Sequence, residues 1–215
     1  MSNLSDTHMV QMLTDIFGAG IDRSRATLDW ALYCLAGHPD VQTLVQEEVD
    51  LVTGSRMPSL SDRGSLPYTE ATLHEVMRIG TVAPFGLPHQ TIRATSVGGY
   101  NIPKETTVVV NFWALHNDLD QWDHPELFRP QRFLDSQGRL APKPNSWLPF
   151  SAGRRVCLRG EAVAKPELLL VLACIVKRFR VSLEPGAVFD PTPQNKMVNG
   201  VPKPYKIVVT DRRQC

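Results

Sequence analysis

Cys157 is the side chain with the clearest potential for chemistry in this sequence. It ends the stretch FSAGRRVC, residues 150–157, in which a glycine-containing turn leads into an apolar segment with the pattern of a helix. Helix N-termini stabilise negative charge, and Arg155 adds a cation nearby, so the thiolate form of the cysteine is favoured there. The pattern therefore indicates a thiolate that binds a metal. The alternative is a structural cysteine buried after a turn.

Two charged motifs precede this stretch. Glu75 and Arg78 are three residues apart in a predicted helix, so they share one face and can act as a single ionic unit. Residues 125–133, PELFRPQRF, place Arg132 among prolines and phenylalanines. The alternative for the Glu75–Arg78 pair is an exposed ion pair, which contributes about 0–1 kcal/mol.

Small residues interrupt the first predicted helix. Gly18 and Gly20 lie in its middle, where each glycine costs up to about 1 kcal/mol relative to alanine. The glycines therefore need a reason other than helix stability. Residues 19–22, AGID, contain Gly20 two positions before the acidic side chain of Asp22.

Taken in order, these motifs resemble those of the cytochrome P450 superfamily. The signature F-x-x-G-x-R-x-C is matched by Phe150, Gly153, Arg155 and Cys157. Residues 75–78 match E-x-x-R, residues 125–133 match P-x-x-F-x-P-x-R-F, and residues 19–22 resemble A-G-x-[DE]. Residues 15–22, 87–91 and 111–117 are closest in sequence to the animal branch that holds steroid 17-hydroxylases and aryl-hydrocarbon hydroxylases.

The resemblance implies a haem-thiolate site, with Cys157 as the axial ligand of the iron in haem b. Thiolate ligation favours O–O cleavage. Further cofactor contacts are implied for Arg155, His89, Phe150, Gly153, Ala19 and Gly20. Proton delivery is implied for Asp22 and Ser24, and an internal structural network for Glu75, Arg78 and Arg132. The alternative for His89 is a residue at the start of a strand that has no ligand.

The implied reaction is hydroxylation of an apolar small molecule, with steroids as a candidate class. Dioxygen is the oxidant, and NADPH supplies electrons through a reductase. Arg154, Arg159 and Lys165 would form part of a basic surface that docks this partner. Full-length members would lie on the cytosolic face of the endoplasmic reticulum membrane, held there by an N-terminal anchor that this chain lacks.

Three departures from the family pattern favour an alternative: a truncated, catalytically impaired remnant with weak or no haem binding. The chain corresponds only to the C-terminal half of the family fold. Arg23 stands where the family usually has a threonine that serves proton delivery, and Ser24 is about 100° further around the helix axis. Arg159 is an extra residue between Cys157 and the following helix.

Composition narrows the remaining classes of function. The chain has 215 residues, a formal net charge of +1 and 42% hydrophobic residues, which fits one sizeable core and gives no charge signal for nucleic acid. The four cysteines form no C-x-x-C pair, so a thiol-redox protein is disfavoured. The longest apolar run, residues 168–176, is shorter than the roughly 20 residues that span a bilayer. We therefore expect this chain alone to be soluble or peripherally attached to a membrane.

The predicted elements form an α+β arrangement, mainly helical with small antiparallel sheets. Apolar periodicity predicts helices over residues 8–35, 39–52, 67–79 and 160–179, and a helical turn over residues 111–116. Strands are predicted over residues 90–95, 98–102, 106–110 and 206–210, with a Pro-Lys-Glu turn between the second and third. The haem-thiolate loop spans residues 149–160. Residues 117–149 lack regular patterning, and a segment of that length is expected to pack against the rest of the chain.

Overall fold

A computed structural model describes residues 5–157, 160–195 and 200–214. Its α-helices are α1 (Asp6–Gly37), α2 (Pro39–Thr53), α3 (Pro67–Gly80), α4 (Phe112–His116) and α5 (Gly160–Arg178). Its strands are β1 (His89–Gln90), β2 (Thr95–Val97), β3 (Tyr100–Ile102), β4 (Thr107–Val108), β5 (Phe179–Leu183) and β6 (Ile207–Asp211). The expected class, mainly α with small antiparallel sheets, is confirmed.

The helix α1 is longer than predicted at both ends and has two different environments. Ser5 caps its N-terminus in a reciprocal arrangement with His8. Residues 5–23 are exposed along their whole length, and Ile16 and Phe17 are 64% and 63% exposed. From Ala26 onward the helix is largely buried. The apolar side chains of the first half therefore pack against no other element within the described residues.

The main core lies where the buried half of α1 meets α2, α3, α5 and the β5–β6 pair. Trp30, Val45 and Leu172 are completely buried there. A Cβ added to Gly80 would lie 2.8 Å from the Trp30 ring, so the glycine allows the last turn of α3 to approach α1. This close approach places α3, which carries Glu75 and Arg78, against the centre of the fold.

Three separate two-stranded antiparallel sheets flank the helices: β1 with β4, β2 with β3, and β5 with β6. The predicted strands over residues 98–102 and 106–110 do not pair with each other, contrary to the expected hairpin. Instead, Val97 lies opposite Tyr100 across Gly98 and Gly99, which have φ values of +56° and +84°. Two consecutive glycines with positive φ make a tight two-residue turn, which sets the hairpin there.

Residues 117–149 pack closely, as expected for a long segment without regular structure. Trp122, Phe133 and Trp147 are buried, and they join Leu73 of α3 and Leu168 of α5 in a second hydrophobic cluster. A short 3-10 helix, Pro130–Phe133, brings Arg132 towards α3. In the part of the chain that the structure describes, no helix has the length and apolar character needed to cross a membrane.

Candidate functional site

Glu75 and Arg78 form a buried ion pair on one face of α3. Arg78 Nε lies 2.8 Å from Glu75 Oε2, and Arg78 Nη2 lies 2.8 Å from Oε1, so the pair is bidentate. Both side chains are completely buried. The expectation of an exposed pair does not apply here, because burial removes the competition from water that weakens surface ion pairs.

Arg132 joins the same carboxylate from the irregular segment. Its Nε lies 3.0 Å from Glu75 Oε1, and the Arg129 backbone N–H donates to the same oxygen at 3.0 Å. Both guanidinium groups lie over the Trp122 ring, at 5.3 Å for Arg78 and 5.9 Å for Arg132. The structure thus brings together the three residues that the sequence places in an internal network.

The network holds two cations and one anion, and backbone carbonyls receive the remaining guanidinium protons. Arg78 donates to the carbonyls of His116 and Pro125 at 2.8 Å each. Arg132 donates to the Asp123 carbonyl at 2.9 Å. Burial lowers the pKa of Arg132 from its usual value, against the opposing effect of Glu75. These hydrogen bonds to backbone carbonyls show that the cluster fixes the path of the irregular segment in addition to pairing the buried charges.

Cys157 lies at the end of a compact turn, with an exposed side chain. Its backbone N–H donates to the Phe150 carbonyl at 2.9 Å and closes the turn. Ser151 and Gly153 have φ values of +68° and +72°, which let the chain reverse over a short 3-10 helix, Gly153–Arg155. The thiol is therefore accessible, and the alternative of a buried structural cysteine is wrong.

The helix α5 begins at Gly160, whose N–H donates to the Cys157 carbonyl at 3.2 Å. A Cβ at Gly160 would overlap the Cys157 sulfur, so a side chain there requires the sulfur to leave its present position. Cys157 therefore lies directly before the N-terminus of α5, as the sequence predicts. Leu158 and the extra residue Arg159 lie outside the described residues.

Lys165 does not belong to an exposed basic surface, contrary to expectation. It is buried, with Nζ 2.6 Å from Glu161 Oε1 and 4.4 Å from the centroid of the Trp147 ring. Burial lowers its pKa to about 8, against the effect of Glu161. The lysine is buried because the aliphatic part of its side chain packs against the aromatic cluster. Arg154 remains exposed beside Arg155.

Phe150 is half-buried and packs against the second hydrophobic cluster. Its ring lies 6.0 Å from Lys165 Nζ. The first residue of the turn is thus anchored in the protein, whereas Gly153, Arg155 and Cys157 at the other end are exposed. The Arg155 and Cys157 side chains are therefore exposed to solvent, while Phe150 fixes the start of the turn to the protein.

The remaining predicted residues lie on other elements. Ala19, Gly20 and Asp22 are exposed on α1, and Ser24 is half-buried. His89 is half-buried in β1, opposite Val108. Within the described residues, no hydrogen bond or ion pair joins any of them to the Cys157 turn.

Arg23, which replaces the family's threonine, is exposed on α1 and has a partner. Its guanidinium Nη1 donates to the Val82 carbonyl just beyond α3. The side chain therefore bridges two elements.

One central residue was missed by reasoning from sequence. His116 is completely buried at the end of α4 and contacts both the Glu75 network and the segment before the Cys157 turn. The sequence predicts only a helical turn over residues 111–116, and no local pattern marks the histidine, because its partners are more than 30 residues away.

Comparisons with known proteins agree with this arrangement. A family model described as Cytochrome P450 matches residues 1–209. A steroid 17-alpha-hydroxylase/17,20 lyase from Oryzias latipes is 46% identical over 214 residues, which cover 99% of this chain and 41% of the relative. Cytochrome P450 2D9 from Mus musculus is 41% identical over 99% of this chain and 42% of its own length.

A solved zebra fish cytochrome P450 structure with abiraterone superposes with a TM-score of 0.87 at 40% identity. The match covers 99% of this chain and 49% of the zebra fish chain. The chain thus spans less than half the length of these relatives. The expected resemblance to steroid 17-hydroxylases is confirmed.

Proposed function

The chain belongs to the cytochrome P450 family, and we propose that it supplies the thiolate-bearing part of a haem-dependent monooxygenase, with Cys157 as the axial ligand. The observation that carries the proposal is the accessible Cys157 thiol, held on a turn at the start of α5. Among the described residues, no cluster of three or more His, Cys, Asp or Glu side chains could hold a metal ion. A lone thiol suits a metal that brings its other ligands with it, as haem iron does.

When bound, haem b supplies the iron centre at which dioxygen is activated, and a thiolate ligand favours O–O cleavage. Cys157 lies just before the N-terminus of α5, and helix N-termini favour a negatively charged ligand. Gly153 gives the turn its shape, and Phe150 holds its base against the hydrophobic cluster.

Four residues are assigned to hold the cofactor. Arg155 and His89 bind the propionates, because a guanidinium donates two parallel hydrogen bonds to a carboxylate and an imidazole donates one. Ala19 and Gly20, which lie on the exposed half of α1, would contact the cofactor side at which dioxygen binds, as the resemblance implies.

Asp22 and Ser24 are proposed to transfer protons. They lie on α1 close to Ala19 and Gly20, and Asp22 is exposed to water that can replace each proton. Arg23 is not assigned a proton-transfer role, because its guanidinium is directed to the Val82 carbonyl and a guanidinium does not give up a proton in proteins.

The substrate is proposed to be an apolar small molecule of the steroid class, in line with the names of the similar relatives. Electrons are proposed to come from NADPH through a reductase that docks at the exposed Arg154 side of the turn. The full-length protein is proposed to act at the cytosolic face of the endoplasmic reticulum membrane.

The second candidate is a remnant of the family fold that binds haem weakly or not at all. One observation favours it: the N-terminal half of α1 exposes large apolar side chains, Ile16 and Phe17 among them.

A single reconstitution experiment separates the two candidates. The chain is mixed with haem, reduced, exposed to carbon monoxide and recorded in the Soret region. A strongly red-shifted band that Cys157→Ala abolishes and Cys174→Ala preserves supports thiolate ligation. Absence of haem uptake by the unaltered chain would support the remnant.

A further inference from the structure

His116 is completely buried where α4 meets α3 and the segment that leads to the Cys157 turn. Its backbone carbonyl accepts a hydrogen bond from Arg78 Nη1 at 2.8 Å. Its ring Nδ1 lies 2.9 Å from Thr81 Oγ1, and its ring Nε2 accepts from the Leu148 backbone N–H at 3.1 Å. One residue therefore contacts the buried ion network and the approach to the turn.

These contacts fix the tautomer of the ring. An amide N–H can only donate, so Nε2 must be unprotonated to accept from Leu148, and Nδ1 must carry the hydrogen. That hydrogen is donated to Thr81 Oγ1, whose own hydroxyl donates to the Arg78 carbonyl. Burial, and next to it the charge of Arg78, lowers the pKa of His116 to about 3, so the neutral ring is the form present near pH 7.

Two backbone hydrogen bonds link the neighbourhood of Leu148 to Cys157. The Leu148 carbonyl accepts from the Ser151 N–H at 3.1 Å, and the Phe150 carbonyl accepts from the Cys157 N–H at 2.9 Å. The neighbouring Trp147 indole N–H donates to the His74 carbonyl of α3 at 3.1 Å. The base of the turn is thus held at two consecutive residues, by side-chain hydrogen bonds to α3 and α4.

We propose that His116 is a positioning residue that sets the place of the Cys157 turn relative to the Glu75 network. The side chain does not touch the thiol; it acts through the Leu148 amide. This inference rests on the proposed function for its purpose, which is to hold an iron ligand. Its physical content is the coupling between the Nε2 contact and the turn, and that coupling can be measured without haem.

Two substitutions of His116 separate this role from a general contribution to stability. Gln can place an amide oxygen near the position of Nε2, whereas the shorter Asn side chain reaches only the position of Nδ1. His116→Gln therefore keeps an acceptor for Leu148, and His116→Asn leaves that amide without one. Both variants replace the ring with an amide, so their general effects on packing are matched.

The measurements are amide hydrogen exchange at Leu148 and the rate of Cys157 alkylation by iodoacetamide in the haem-free chain. Relative to His116→Gln, we expect His116→Asn to speed Leu148 exchange by about tenfold, the effect of losing one buried hydrogen bond on a local opening equilibrium. Cys157 alkylation should change several-fold in the same comparison. Equal exchange and alkylation rates in the two variants would overturn the inference.

A second pair of variants keeps the test decisive where His116→Asn does not fold. Thr81→Ala removes the oxygen that accepts from Nδ1, so the ring is free to carry its hydrogen on Nε2, facing the Leu148 N–H. Thr81→Ser keeps the hydroxyl. Leu148 exchange and Cys157 alkylation rates that both differ between Thr81→Ala and Thr81→Ser support the inference, and equal alkylation rates contradict it. Failure of the unaltered chain to bind haem would remove the proposed function and leave these results intact.

Discussion

The carboxylate of Glu75 and the guanidinium of Arg132 meet at 3.0 Å although 57 residues separate them in sequence. Glu75 lies on a regular helix, and Arg132 lies in a segment with little regular structure. The ion pair therefore fixes the irregular segment to α3. The Arg78 guanidinium and the Arg129 backbone N–H also donate to the Glu75 carboxylate.

Replacing Glu75 by Gln should destabilise the protein strongly. The substitution leaves Arg78 and Arg132 as two buried cations with no carboxylate, and removing one partner of a buried ion pair costs about 3–5 kcal/mol. Urea denaturation followed by circular dichroism would measure the loss. The control is Arg139→Ala, which removes an exposed pair with Asp135 and should change the midpoint little. Similar midpoints for the two variants would contradict the structural role of the network.

Acid should destabilise the fold through two buried histidines before it protonates most carboxylates. Burial lowers the pKa of both His74 and His116 to about 3. A histidine with a lowered folded-state pKa binds its proton more readily in the unfolded chain, so stability falls as pH drops from about 6.5 towards 3. Each histidine contributes a slope of up to about 1.4 kcal/mol per pH unit in that window.

The two slopes can be assigned by substitution. Free energies of unfolding measured between pH 7 and pH 5 should depend less on pH in His74→Gln than in the unaltered chain. A pH dependence unchanged by His74→Gln would show that this ring is not buried in its neutral form.

Gly160→Ala should weaken haem binding, because the new methyl group overlaps the Cys157 sulfur. Relief of this overlap requires either the Cys157 sulfur to leave its present position or the backbone at the junction to shift, and the cost is about 1–3 kcal/mol when a ligand holds the sulfur in place. Haem titration monitored in the Soret region would report the change in Kd. Gly64→Ala is a matched control, since that glycine has open space around its Cβ position and no positive φ. Equal affinities for the two variants would show that the junction tolerates a side chain.

The elements that the sequence predicted well are those with local signals. Helices α2, α3 and α5 follow from apolar periodicity bounded by proline or glycine, and their observed limits lie within a few residues of the predicted ones. The Glu75–Arg78–Arg132 network was expected from the resemblance, which supplies the long-range pairing that spacing cannot. The hairpin was predicted at the Pro-Lys-Glu segment, but it forms at Gly98 and Gly99, where two consecutive glycines with positive φ make a two-residue turn.

The features that sequence reasoning missed depend on contacts between distant segments. The resemblance led us to expect Lys165 on an exposed basic surface, but its side chain is buried beside the Trp147 ring and the Glu161 carboxylate. His116 has ring partners 35 residues before it and 32 residues after it. No helical or strand periodicity covers such separations, so neither position could be assigned from the local pattern.

The contrast between the two halves of α1 has a thermodynamic consequence. Geometrically it is one continuous helix, Asp6–Gly37, but only its second half is tied to the core. Most helical stability in proteins comes from packing. The first half packs against no other element among the residues described and contains Gly18 and Gly20, so it should open at a low free-energy cost, whereas the second half is held by the core. The unfolding of this chain is therefore not a single all-or-none transition. The backbone amides of α1 should therefore fall into two classes of hydrogen-exchange rate, fast before Ser24 and slow after it, although the helix is continuous.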